Sequence, residues 1–248
     1  MRVVIVILCC VALAAGVLWL VFTQPVEPPT ESAAVSTREV KAKKTISPEK
    51  VIDYGKIKKN SDKALADLMK ERKEPYGVEQ SIDMIVKSDE SIKVGDETVP
   101  MKKILDQVRL EQGEILETDL KTGSEKQKKE DFGIHVVHGK DNIWDIHFKL
   151  LKDYYAHKGI HISPLADEPD SRGRSSGVGK ILKFSEHMVH IFNLKEHKLE
   201  KDLNQIYPLT KIVVYNMTFI FTLLDQVNYN DVDRIAFDGE ALWLPAEQ

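Results

Sequence analysis

The histidines are distributed unevenly along this chain, and all eight lie between His135 and His197. Neutral imidazole is a ligand for zinc-class cations, so the spacing of these residues decides whether a metal centre is encoded. His187 and His190 are three apart on a predicted helix and share a face. His135 and His138 are read on a strand, where an odd spacing points them to opposite faces. No His-Glu-x-x-His, no cysteine ligand and no carboxylate at a fixed partner spacing accompanies them. The sequence therefore predicts no metal centre and no cofactor.

Two other stretches hold chemically suggestive residues. Gly173-Arg174-Ser175-Ser176-Gly177-Val178-Gly179-Lys180 has the composition of a phosphate-cradling loop, but Gly173 to Gly179 is one residue too long. Ile181 also stands where such a loop needs Ser or Thr, and Pro169-Asp170-Ser171 is no strand. A flexible loop leading into a helix is expected instead. Both cysteines, Cys9 and Cys10, lie in an apolar N-terminal run, and no Gly-x-Ser-x-Gly elbow occurs, so no nucleophile is encoded. Asp231 and Asp233 read as a polar loop. The expectation is that the chain is not an enzyme and has no catalytic residues.

The most specific order of residues is Gly133-Ile134-His135-Val136-Val137-His138-Gly139-Lys140-Asp141-Asn142-Ile143-Trp144-Asp145-Ile146. It predicts a short strand, a tight polar turn and the start of a helix, with Asp141 as the N-cap. This order resembles the opening of a LysM module, a small βααβ carbohydrate-binding domain of cell-wall proteins. His135-Val136-Val137 match its strand, Asp141 its turn and Ile143-Trp144-Asp145-Ile146 its helix start. Lys140 departs from the family's usual glycine, with Gly139 one position early. The family's closing strand resembles Gly239-Glu240-Ala241-Leu242-Trp243-Leu244-Pro245, far along the chain beyond a long helical insertion. The resemblance implies binding of peptidoglycan or a related N-acetylglucosamine polymer in a shallow groove. By position, its residues are Lys140, Asp141, Asn142, Ile143, Asp238, Gly239 and Glu240, with Ile143 as an apolar floor. It also implies that His135-Val136-Val137 pairs with the closing strand. Asp238-Gly239 can equally be the two-residue turn of a hairpin joining Ile235-Ala236-Phe237 to Ala241-Leu242-Trp243-Leu244.

Around this unit the 248 residues, with a formal net charge of −4, give no push toward nucleic acid. Val3 to Phe22 carries no charge, and about 20 such residues span a bilayer. A small-x-small site at Ala12-Leu13-Ala14 suits a cleaved signal, but the apolar run continues past it, which favours an uncleaved anchor. Arg2 precedes the run and the next basic residue is Arg38, so the bulk is expected outside the cytoplasm. This implies a bacterial inner-membrane protein facing the periplasm. The expected divisions are a cytoplasmic stub (1–2), anchor (3–22), tether and juxtamembrane helices (23–75), small α+β segment (76–120), linker (121–131) and expanded LysM-like domain (132–248).

Within these divisions, Ser47 and Ser61 are expected caps. Gly95-Asp96 is a hairpin turn, Pro100 opens a helix with a stripe of Ile104, Leu105, Val108 and Leu110, and a helix runs from Asn142 to His157. Ile181, Phe184, Met188 and Ile191 repeat at helical spacing. Ile212 to Leu224 is apolar nearly all round, and its length favours a buried helix over a strand. The fold class is thus α+β, with a helix-rich C-terminal part on a two-stranded core. The partner is either a glycan or, where the insertion covers the groove, another protein of the envelope.

Overall fold

The computed structural model describes residues 50–113, 129–202, 208 and 210–245. The anchor at 3–22, the tether, the Ser47 cap and most of the linker lie outside the described residues. Among the described residues, no helix is long and apolar enough to cross a membrane.

Strand β1 (Val51–Asp53) leads into helix α1 (Tyr54–Lys58), whose N-cap Asp53 accepts from the Lys56 amide. Helix α2 (Lys63–Lys73) is capped by Asp62, one residue beyond the expected Ser61, and passes into a 3-10 turn at Glu74–Tyr76. Strands β2 (Met84–Lys87), β3 (Ser91–Val94) and β4 (Glu97–Pro100) precede helix α3 (Met101–Glu111). Gly95, at φ 61°, makes the expected turn of the β3–β4 hairpin. Of the predicted α3 stripe, Ile104 and Val108 are buried and Leu105 packs against the core, but Leu110 faces solvent. It falls past the face the sheet covers.

Strand β5 (Asp131–Val136) is followed by helices α4 (Ile143–His157) and α5 (Gly177–Ser185). Then come β6 (Val189–Asn193), β7 (Lys198–Glu200), β8 (Lys211–Asn216), helix α6 (Met217–Gln226) and the pair β9 (Ala236–Phe237) and β10 (Leu242–Trp243). Two expectations change here. Ile191 belongs to β6, because α5 stops at Ser185 and a 3-10 turn, Glu186–Met188, intervenes. The apolar stretch 212–224 is a strand and a helix in succession. Its β-branched Ile212-Val213-Val214 suits a central strand, and the Asn216 side chain accepts from Phe219 N to start α6.

The chain is mixed α+β. Its main sheet is antiparallel throughout, in the order β2-β5-β8-β6-β7, and β1, β3 and β4 form a second sheet. The predicted pairing of β5 with the closing strand does not form. Both edges of β5 are taken by β2 and β8, and β10 pairs with β9 as the local hairpin. The two-stranded core expected from the LysM resemblance is replaced by this wider sheet. Because β2 lies beside β5, the described parts of the segments 76–120 and 132–248 share one sheet, and the described residues form one compact unit.

Alternation along the strands feeds two apolar layers. Met84, Val86, Phe132, Ile134, Val136, Ile212 and Val214 pack with the smaller sheet and α3, while Ile85, Val213 and Tyr215 pack with α4, α5 and α6. Coverage of both faces explains why these strands read as continuous apolar runs.

One polar side chain in the helical layer sets a pH dependence. His147 of α4 is almost fully buried, stacked edge-to-face on Tyr215 with ring centroids 5.7 Å apart. Neither imidazole nitrogen makes a well-formed hydrogen bond among the described residues. Burial pushes its pKa down to about 4, against a weaker upward pull from the Leu182 backbone. The unfolded chain thus takes up this proton at higher pH than the folded one. The stability tied to His147 is complete above pH about 6.5 and is lost as pH falls toward about 4, roughly 3 kcal/mol in all. Urea midpoints for the wild type and His147→Phe across that window check this. Equal pH slopes in the two proteins would show the histidine is not responsible.

Candidate functional site

The turn between β5 and α4 gathers more polar side chains than its sequence suggested. β5 ends at Val136, so the chain has already left the sheet at His138, and Gly139-Lys140 turns it back. His138 consequently swings onto the same side as His135, with ring centroids 6.0 Å apart. The expectation that these two point apart rested on extending the strand through His138.

Asp141 stands between them. Its Oδ2 is 3.0 Å from His135 Nε2 and 3.4 Å from His138 Nδ1, and it accepts from the His138 amide at 2.7 Å. Burial alone would raise its carboxyl, but the bonds from His135 and the His138 amide outweigh this and hold it below the usual carboxylate range. Asp141 therefore closes the turn, and the N-cap of α4 is its neighbour Asn142, which accepts from Asp145 N at 2.8 Å.

Each histidine has a second partner behind it. His135 Nδ1 is 3.3 Å from the Ser81 carbonyl and 3.5 Å from Asp83 Oδ2, and the latter oxygen also accepts from Val136 N at 2.7 Å. His138 Nε2 is 3.0 Å from the hydroxyl of Tyr54, 84 positions earlier in the chain. Burial first, then the charges of Asp83 and Asp141, push the Tyr54 phenol up to about 12, so it stays a hydroxyl. Among the described residues, His135, His138 and Asp141 are a group of donors able to converge on one cation, their ligand atoms all lying within 4.8 Å.

The predicted glycan residues fare differently. Lys140 and Asn142 are exposed at the turn, Asp141 is engaged as above, and Ile143 is buried in the core, where it offers no floor to a sugar. Asp238, Gly239 and Glu240 form the exposed tip of the β9–β10 hairpin, with Gly239 at φ 107°. The Asp238 carboxylate accepts from Ala241 N, Glu240 N and Trp243 Nε1, and these bonds, in that order, pull its pKa down to about 2. Both aspartates thus serve their own turns, and no bond joins the two groups of residues.

His187 and His190 sit elsewhere, in the 3-10 turn and on β6, and not on one helix. Both line a groove of about 430 Å³ with Leu105, Val108, Phe132 and Phe219. Lys180, the last residue of the glycine-rich stretch, donates to the Ile235 carbonyl at 2.7 Å and anchors the C-terminal segment, and Ser176 caps α5.

Sequence reasoning missed Tyr54, Ser81 and Asp83, which come from distant segments and carry no local signal. The spacing His135-x-x-His138-x-x-Asp141 was visible, and ending the strand at Val136 would have revealed it. Compared with protein families, curated proteins and solved structures, the chain matches none.

Proposed function

We propose that this chain is a bacterial envelope protein, anchored by Val3–Phe22 with its bulk in the periplasm, and that it acts by binding another protein. The observation that carries this reading is the groove between α3 and the end of the main sheet. Leu105 and Val108 of α3, Phe132 and Val214 of the sheet, and Phe219 give it an apolar lining, while Glu130, Asn216, His187 and His190 supply polar groups. An exposed aromatic side chain beside a partly apolar groove is the kind of surface that protein partners cover. Phe219 remains 57% exposed, which a partner's apolar side chain would cover.

The glycan-binding role implied by the LysM resemblance is less well supported. Ile143 is buried, Asp141 and Asp238 are committed to their own turns, and the strand pairing that would frame the sugar groove is absent.

Two measurements test the reading. The full-length protein, folded in detergent, should stay in the supernatant when purified peptidoglycan is sedimented at low salt. Pelleting would restore the glycan reading. A photo-crosslinking residue at position 219 should give a discrete protein adduct in cells, and one at Leu165, equally exposed, should not. Absence of any adduct from position 219 would remove the groove as the binding surface.

A further inference from the structure

We propose that His135, His138 and Asp141 form a binding site for a divalent cation of the zinc class, independent of the groove. The first argument is hydrogen-bond arithmetic at His135. A neutral imidazole has one donor and one acceptor nitrogen. Here Nδ1 faces the Ser81 carbonyl and Nε2 faces the Asp141 carboxylate, and both of these oxygens can only accept. A single ring proton satisfies one side and leaves a lone pair aimed at the other. Either a second ring proton or a cation between Nε2 and the carboxylate resolves the conflict, and only the cation, with the proton kept on Nδ1, also engages His138 Nδ1 through the shared Asp141 oxygen.

Spacing supplies the second argument. Zinc bonds of 2.0–2.1 Å in tetrahedral geometry place neighbouring ligand atoms about 3.3 Å apart. The Asp141 oxygen lies 3.0 Å from His135 Nε2 and 3.4 Å from His138 Nδ1. All three ligand atoms lie within 4.8 Å of one another, so the two imidazoles must close toward each other across Asp141 to bring the three donors onto one ion. Nitrogen and carboxylate ligands together suit zinc, and neither calcium nor magnesium favours imidazole.

The third argument is the outer partners. Histidines that bind metals almost always hand their other nitrogen to a carbonyl, carboxylate or hydroxyl that fixes the tautomer. Ser81 does this for His135 and Tyr54 for His138. The Tyr54 hydroxyl both donates and accepts, so it partners Nε2 in either tautomer of His138. His135 is largely enclosed and His138 half-exposed, so the ion enters from the His138 side and a fourth position there is left to water or an external ligand.

Zinc titrated into metal-stripped full-length protein, followed by calorimetry and elemental analysis, should bind at one equivalent per chain with micromolar or tighter affinity. It should also raise the melting temperature, since a cation that binds only the folded chain stabilises it. Affinity should fall as the pH is lowered, because the ligands must be deprotonated. His138→Ala, at a half-exposed position, should abolish the binding and leave the fold intact. Tyr54→Phe should weaken it by about 10–100-fold, and His161→Ala, at an exposed position away from both sites, should leave it unchanged. Cobalt in place of zinc should give the strong visible bands of a tetrahedral centre. No stoichiometric binding, or binding indifferent to His138→Ala, would overturn the proposal and leave the cluster as a hydrogen-bonded turn. Because none of these readouts involves the groove, they fail or succeed apart from the crosslinking at position 219.

Discussion

Gly177→Ala is expected to destabilise the protein by about 3–5 kcal/mol, at or above the upper end of the usual overpacking cost. Gly177 opens α5, and a Cβ built on it would lie 1.9 Å from the Val232 carbonyl oxygen and 2.4 Å from the carbonyl carbon. Those are backbone atoms of the 3-10 turn Tyr229–Arg234, with no rotamer to move them aside. Helix propensity pulls the other way, favouring Ala by at most about 1 kcal/mol. Contact at that range wins, since relief requires separating α5 from the turn and disturbing Val178, Ile181 and Val232 in the core. Gly179→Ala is the internal control. Its added Cβ would meet the Asp167 carbonyl oxygen at 3.1 Å and Ser176 Oγ at 3.2 Å, a crowding that small shifts relieve. Urea unfolding of both variants tests the pair, and similar midpoints for the two would refute the close-approach argument.

A loss of similar size is expected for Arg72→Met. Arg72 donates through Nη1 and Nη2 to the two oxygens of Glu90 at 2.6 and 2.7 Å, and through Nη1 to the Ile85 carbonyl at 2.8 Å. Both side chains are largely buried. Without the guanidinium, Glu90 keeps, among the described residues, the Lys87 amide at 2.9 Å and Lys50 at 3.9 Å. An uncompensated buried charge costs about 3–5 kcal/mol. Removing both charges with Arg72→Met and Glu90→Leu together should recover a large share of that loss, because a buried ion pair contributes little over an apolar replacement. The pair also sets an acid limit. Burial tends to raise the Glu90 carboxyl, yet the bonds from Arg72 and the Lys87 amide prevail and hold it below its ordinary value. The stability linked to Glu90 is therefore present above the ordinary Glu range and is lost as pH falls through the depressed folded value. A double-mutant cycle measured by urea unfolding at pH 7 separates the pair's coupling from the simple loss of packing. A cycle showing no coupling would contradict the geometry.

Local features of this fold were readable in the sequence where a few adjacent residues determine them. Gly95-Asp96 between alternating apolar residues, the Asn142 to His157 helix and the Asp238-Gly239 hairpin all depend on backbone preferences that neighbouring residues express. Strand partnership is another matter. β5 pairs with β2 and β8, and nothing in Phe132 to Val136 distinguishes those neighbours from Ala241 to Leu244. The stretch 212–224 was misjudged because a strand buried on both faces and a buried helix share one apolar composition, and the break between them rests on the side chain of Asn216 alone. The strand, turn and helix start at Gly133–Ile146 were legible locally, whereas the sugar reading came from the resemblance to a LysM opening and the histidines were placed on opposite faces of a strand extended too far. Their convergence on Asp141 depends on one residue of strand length, and Tyr54 behind His138 depends on the tertiary fold.

The sheet order carries a consequence for how the chain is made. β8 lies between β5 and β6, so the β2–β5 pair and the β6–β7 pair are separate two-stranded pieces until Lys211–Asn216 arrives to join them. A chain growing from its N-terminus has made both pairs before the strand that joins them, and their inner strands carry apolar residues that the finished sheet buries on both faces. Bare, flat, apolar edges are templates for pairing with other chains, and long-range strand pairing closes slowly. The centre of the sheet is thus the last part synthesised, and a chain that stalls or is cleaved before Lys211 retains two sticky edges with no partner of its own to cover them.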